Sequence, residues 1–152
     1  MSGITTFAKG GWAPVFDLGP DTSGTGESHM PDRTCNPNSV PGGRSWLHWW
    51  NPSCITPVPA AQYGRLGTSN LAAFTVPGIN TWDVSIQKSF KTKFLIESGE
   101  IQFRCDMFNA WNHVQWASPT QYIYSGEDPI YYGRIGATRP ARQMQASLRY
   151  NF

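Results

Sequence analysis

Three charged side chains, Asp83, Arg104 and Asp106, combine two carboxylates with a cation, which is a set that can support acid–base chemistry. Each of them lies in a segment where polar and apolar residues alternate, and alternate residues of a strand share one face. The sequence shows no Ser/His/Asp order, no glycine-rich phosphate loop and no H-E-x-x-H motif. We therefore interpret the three side chains as structural partners on neighbouring strands, and we expect no catalytic residues and no cofactor.

The three cysteines offer redox or metal chemistry. Cys35 and Cys54 bracket a stretch rich in proline, glycine and tryptophan, whereas Cys105 lies in a strand pattern. Either one disulfide forms beside a single thiol, as in an oxidising compartment, or all three thiols stay unpaired. No C-x-x-C stands near the loop cysteines, and His29 and His48 have no partner at ligand spacing, so no metal site is expected. We predict a Cys35–Cys54 disulfide with Cys105 unpaired.

The cysteine bracket contains the segment SWLHWWNPSC, with Trp46, Trp49 and Trp50. The chain has seven Trp, six Tyr and eight Phe, a density that suits strands, sugar-binding platforms or membrane interfaces. The three rings are candidates for a ligand platform on an exposed loop. The alternative is that they pack within a long loop around the disulfide, because aromatic side chains that order a loop need no ligand.

Alternation of polar and apolar residues predicts the elements that carry these side chains. In the last segment, RQMQASLRYNF, every second residue from Met144 to Phe152 is apolar, and the residues between them are polar. No apolar run is long enough for a membrane helix, and the net charge of +2 without a basic block does not favour nucleic acid. We predict an all-β antiparallel meander of about four strands with long loops. Its parts are a strand at 4–17, a long loop at 18–79, a hairpin at 80–112, a loop at 113–140 and a terminal strand at 141–152.

Strand length helps to choose between a soluble sheet and a membrane barrel. Eleven residues at ~3.3 Å each, tilted by about 45°, span roughly 25 Å, the height of an outer-membrane apolar band. Short turns that alternate with long loops are also the arrangement of bacterial barrels. The polar side chains of such strands face a wet lumen. We predict that this set comprises Asp83, Arg104, Asp106 and Arg149.

Three segments, PGINTWDVSIQKSF, IQFRCDMFNAWNHVQW and YYGRIGATRPARQMQASLRYNF, resemble the C-terminal end of TonB-dependent outer-membrane receptors. The similarity is to the branch with a carboxypeptidase-regulatory-like N-terminal domain, and it covers about residues 10–152. The resemblance implies that the barrel-assembly machinery recognises the last strand, through Leu148, Tyr150 and Phe152. It also implies a non-catalytic transport receptor of the bacterial outer membrane or cell surface, in contact with lipid and with the rest of its barrel.

A receptor of this family has 22 strands and a plug, and four strands cannot close a barrel. The start of the chain does not read as a signal peptide. We therefore expect residues 1–152 to form one partial barrel segment. Two alternatives stay open: a structural protein whose open edges pair with other copies into a fibre or an oligomer, and a soluble, Trp-rich carbohydrate-binding module.

Overall fold

A computed structural model describes residues 1–26, 29–92, 99–124 and 131–152 of the chain. Its four long strands are β1 (Ser2–Ala8), β7 (Ile79–Thr92), β8 (Gly99–Phe108) and β10 (Gln143–Asn151). The described residues contain no α-helix, but two single turns of 3-10 helix occur at Pro52–Cys54 and Ala60–Gln62. No helix in these ranges has the length and apolar character needed to cross a membrane. The remaining strands have two residues each: β2 (Trp12–Ala13), β3 (Phe16–Asp17), β4 (Asp32–Arg33), β5 (Ile55–Thr56), β6 (Phe74–Thr75) and β9 (Tyr122–Ile123).

The four long strands form one sheet in the order β1-β7-β8-β10, and every neighbouring pair is antiparallel. This arrangement confirms the predicted all-β meander. The register follows the alternation in the sequence, because Ser85 lies opposite Asp106 and Ile86 lies opposite Cys105. Across β7, β8 and β10 most polar residues therefore meet polar residues, and most apolar residues meet apolar ones. Lys88, which lies opposite Phe103, departs from this rule, as does Ile4 of β1, which lies opposite Asp83.

The first strand, β1, ends at Ala8, whereas the sequence predicted a strand over residues 4–17. A side chain at Gly10 would overlap the carbonyl oxygen of Val76, so the chain passes too close to another backbone segment for any larger residue. Beyond this point β2 pairs with β6, and β3 pairs in parallel with β9. Residues 12–17 consequently belong to a different part of the fold from β1.

The segments Lys9–Gly78 and Trp116–Thr138 form a separate compact unit, which we call the loop unit. The remainder, with the four-stranded sheet, is the sheet unit. The predicted loop 18–79 thus has its own short strand pairs and buried residues, which alternation along the sequence did not reveal. The core of the loop unit consists of Ala13, Val15, Trp50, Ile55, Ala73, Phe74, Ile123 and Tyr132.

Both long connections leave the sheet at the same end, where Ala8 lies opposite Ile79 and Phe108 lies opposite Gln143. We call this the loop end. The opposite end, where Thr92 lies opposite Gly99, is the hairpin end. Within the predicted hairpin 80–112, residues 93–98 between β7 and β8 lie outside the described ranges, as do residues 125–130 of the predicted loop 113–140.

Candidate functional site

One face of the sheet is apolar and uncovered. Leu148 is 73% exposed and Met144 is 60% exposed, although a sheet in a soluble protein normally buries its apolar face under a core. Directly opposed residues of β7, β8 and β10 build this face in rungs. Three of these rungs are Val84–Met107–Met144, Ile86–Cys105–Ala146 and Phe90–Ile101–Tyr150.

Aromatic side chains mark both ends of the apolar face. At the loop end, the Trp82 ring meets the Phe7 ring edge-on at 5.8 Å between centroids, and Trp111 at 6.5 Å. At the hairpin end, Tyr150 stacks on Phe152 at 6.1 Å. Phe90 lies in the same rung as Tyr150. Two aromatic groups that flank a mainly apolar band are the pattern of the membrane-exposed surface of a transmembrane β-barrel.

The distance between the two aromatic groups fits a membrane. At ~3.3 Å per residue, about 26 Å of strand separates Trp82 from Phe90. A tilt of about 40° reduces this length to a height of roughly 20 Å, close to the ~25 Å apolar band of outer-membrane barrels. The band between the groups therefore has the dimensions required to contact lipid.

The opposite face carries polar rungs that continue across three strands. They are Ser85–Asp106–Gln145, Gln87–Arg104–Ser147, Ser89–Gln102–Arg149 and Lys91–Glu100–Asn151. The Arg104 Nε atom lies 2.8 Å from Asp106 Oδ2, and the Ser85 hydroxyl donates to Asp106 Oδ1 at 2.6 Å. The carboxylate is thereby engaged in an ion pair within its own strand and in a hydrogen bond to the neighbouring strand β7.

The four polar residues singled out in the sequence occupy different positions on the sheet. Arg104 and Asp106 contact each other directly. Asp83 accepts a hydrogen bond from the backbone N–H of Asn109 at 3.0 Å and so fixes the end of β8. Arg149, on the edge strand β10, lies opposite Gln102 of β8.

The motif NAWNHVQ that follows β8 is a hydrogen-bonded turn whose role the sequence analysis missed. The side chain of Asn109 accepts from the N–H of His113 and donates to the carbonyl of His113, both at 3.0 Å. Asn109 and Asn112 have positive φ angles of 50° and 52°, a conformation that asparagine tolerates better than most residues. The signal was present in the sequence as two asparagines three residues apart at a strand end.

The same turn ties the loop end of the sheet together. The Gln115 side chain accepts from the backbone N–H of Asn80 at 2.9 Å and donates to the Asn80 carbonyl, so it imitates a strand neighbour for β7. The Asn112 side chain accepts from the N–H of Arg142, just before β10. One short motif therefore holds three strands at the point where the long connections begin.

In the loop unit, Cys35 and Cys54 form the predicted disulfide, with Cα atoms 4.7 Å apart. Cys105 is a free thiol in the sheet, opposite Ile86 and Ala146. The described residues contain no group of three or more His, Cys, Asp or Glu side chains that could hold a metal ion.

The three tryptophans near the disulfide do not share one surface. Trp50 is 0% exposed, stacks on Phe74 at 5.7 Å and donates from Nε1 to a backbone carbonyl. Trp49 donates from Nε1 to the carbonyl of Thr75 at 2.7 Å. Only Trp46, at 44% exposed, keeps much ring area open, and the Arg134 guanidinium lies 5.2 Å from its centroid. Of the three rings of the candidate platform, one is therefore open, and Trp50 packs in the core of the loop unit.

Two carboxylates stabilise loops of this unit. Asp21 accepts hydrogen bonds from the backbone N–H of Gly26, from the Ser23 hydroxyl and from the backbone N–H groups of Gly24 and Ser23. These bonds, that of Gly26 foremost, lower the pKa of Asp21 to about 2. Asp32 accepts from Arg65 at 2.7 Å, and this hydrogen bond holds the pKa of Asp32 below its ordinary value. Both groups are anionic at neutral pH.

Comparison with known proteins agrees with the two-faced sheet. The family model described as "Outer membrane beta barrel domain" matches residues 1–145, which include most of the sheet unit and all of the loop unit. No curated protein and no solved structure matches the chain. The match supports an outer-membrane location, where an apolar sheet face contacts lipid. The chain therefore belongs to the outer-membrane β-barrel domain family.

Proposed function

We propose that the chain forms the C-terminal strands of the barrel of a TonB-dependent outer-membrane receptor and is not an enzyme. The observation that carries this proposal is the exposed apolar face between two aromatic groups, backed by a polar face with an internal ion pair. In this function the apolar face contacts lipid and the polar rungs of Asp83, Arg104, Asp106 and Arg149 line the lumen. The three sequence segments that resemble these receptors support the finer assignment.

The edges of the sheet require additional strands. Within the described ranges, β1 pairs only with β7 and β10 only with β8, so each has one open edge. Unpaired backbone groups in lipid cost several kcal/mol each, and barrels begin at about eight strands. Since β1 and β10 run in opposite directions in this meander, an even number of further strands closes the sheet with antiparallel pairs throughout. The rest of the receptor barrel supplies them in our proposal.

The terminal strand also serves as the assembly signal in this proposal. Phe152 is 87% exposed and its described ring contact is the stack on Tyr150. Its packing within the sheet is therefore small. Together with Leu148 and Tyr150, it presents alternate apolar side chains that the barrel-assembly machinery could read.

Deletion of Phe152 from the full-length protein tests the signal. We expect much less folded barrel in the outer membrane and little change in the melting temperature of the barrel that does assemble. Phe152→Trp is the matched control, because it retains an aromatic last residue. Unchanged membrane levels after the deletion would contradict the assembly role.

The open edges also favour a second candidate, in which copies of the chain pair edge to edge into an oligomer or a fibre. Native size in detergent separates the two: a defined multiple or a filament supports the oligomer, and a single-chain barrel supports the receptor. A soluble carbohydrate-binding module is a weaker candidate, since of the three tryptophans near the disulfide only Trp46 offers an open ring. Such a module would need no detergent for extraction.

A further inference from the structure

Lys88 is the one charged residue on the apolar face among the described residues of the four long strands. It lies opposite Phe103, which in turn lies opposite Leu148. The other charged residues of these strands occupy the polar face. They are Asp83, Lys91, Glu100, Arg104, Asp106 and Arg149.

In the described parts of the four long strands, the apolar face supplies no counter-ion for this ammonium group. The rungs on either side of Lys88 contribute Ile86 and Phe90 from its own strand, with apolar side chains opposite them. The contact recorded for the ammonium is with an aromatic ring: Nζ lies 5.7 Å from the Phe90 centroid. A cation–π contact attracts the charge but does not neutralise it.

The direction of the side chain shows where a counter-ion would lie. Phe90 is two residues closer than Lys88 to the hairpin end of β7, so the ammonium extends toward that end. Phe90 shares its rung with Tyr150, in the aromatic group that marks the edge of the apolar band. Lysines near the edge of a membrane extend in this way to place their charge at the headgroup level.

We propose that Lys88 binds the phosphate group of a phospholipid in the leaflet at the hairpin end of the barrel. The phosphate supplies the negative charge that the described residues of the apolar face lack. Phe103 and Leu148, in the same rung as Lys88, contact the acyl chains of the same lipid. This inference depends on the outer-membrane location of the sheet and is independent of which ligand a receptor would transport.

Native mass spectrometry of the purified full-length protein, released from detergent micelles with bound lipid, tests the proposal. The probes are phosphatidylglycerol and a diacylglycerol with the same acyl chains, which lacks the phosphate. We expect Lys88→Gln to weaken phosphatidylglycerol binding about fivefold, the effect of one lysine near an anionic headgroup. Lys88→Arg should retain binding, and diacylglycerol should bind all variants equally weakly.

Lys91→Gln is the matched control, because Lys91 lies three residues away on the polar face, opposite Glu100. An equal loss in Lys91→Gln and Lys88→Gln would overturn the proposal, as would no loss in Lys88→Gln. If Lys88→Gln does not assemble, amine labelling of the unmodified protein gives the answer. Protection of Lys88 by phosphatidylglycerol but not by diacylglycerol supports the site, and equal labelling with both lipids refutes it.

Discussion

Replacing Trp50 with alanine should open the loop unit while leaving the sheet unit intact. The Trp50 ring is fully buried and stacks on Phe74, and its Nε1 donates to the Thr120 carbonyl at 2.9 Å. That hydrogen bond connects the two chain segments of the loop unit. A buried Trp→Ala replacement costs about 3–5 kcal/mol, which already includes part of the loss of a hydrogen bond worth about 1 kcal/mol.

A loss of about 4 kcal/mol raises the population of the open loop unit nearly a thousandfold, since each 1.4 kcal/mol is a factor of ten. Limited proteolysis of the protein in outer-membrane vesicles measures this population. Trp46→Ala is the matched control: Trp46 is in the same loop but is 44% exposed, so we expect a much smaller cost, of about 1 kcal/mol. Cleavage in Lys9–Gly78 should therefore accelerate strongly for Trp50→Ala and only slightly for Trp46→Ala.

Two results would refute this reasoning. Equal cleavage rates for Trp50→Ala and Trp46→Ala would mean that the buried indole does not hold the loop unit together. If Trp50→Ala also lost the faster migration that a folded barrel shows in SDS gels without heating, the two units would not unfold independently. The first outcome would make Trp50 an ordinary loop residue, and the second would extend the effect of Trp50 to the sheet unit.

Three further predictions concern stability. Gly99→Ala should destabilise the sheet by about 1–3 kcal/mol in a detergent unfolding titration, because a Cβ there would lie 2.5 Å from the Tyr150 hydroxyl; the double variant with Tyr150→Phe should lose less than the sum of the single changes. Replacing Cys35 and Cys54 with serine should lower the unfolding free energy of the loop unit by about 3 kcal/mol. Proteolysis of the variant should be faster than that of the oxidised wild type and equal to that of the reduced wild type, and an unchanged rate would contradict this. Because hydrogen bonds from backbone N–H groups lower the pKa of Asp21 from 3.8 to about 2, its contribution to stability is present above pH 3.8 and is lost as the pH falls toward 2. In Asp21→Asn, the melting temperature of the loop unit should depend less on pH across that window. If its pH dependence equalled that of wild type, Asp21 would not be the cause of the stability loss.

Residues 79–92, 99–108 and 143–151 illustrate what sequence alone can determine. Their alternation sets which side chains share a face, because side-chain direction repeats every two residues in a strand. A slip of one residue would move Arg149 to the apolar face and Leu148 to the polar one, so the pattern also selects the register. The two-faced antiparallel sheet was therefore predictable from local order.

The roles of individual polar and aromatic residues were only partly predictable. The polar face was expected from the alternation, but the sequence did not reveal that Asp106 would bond both Arg104 and Ser85. It also did not reveal that Gln115 would complete the hydrogen bonds of Asn80. Such contacts depend on strand neighbours that are distant in sequence, and no periodicity encodes them.

Only the tertiary structure decided where the first strand stops and what the long loop does. Gly10 allows the chain to pass against Val76, so the residues after Ala8 leave the sheet and pair elsewhere. The burial of Trp50 depends on Phe74 and on Thr120, which is seventy residues away. A core assembled from distant, irregular segments has no repeating signal in the sequence, because its stability comes from packing rather than from a strand or helix period.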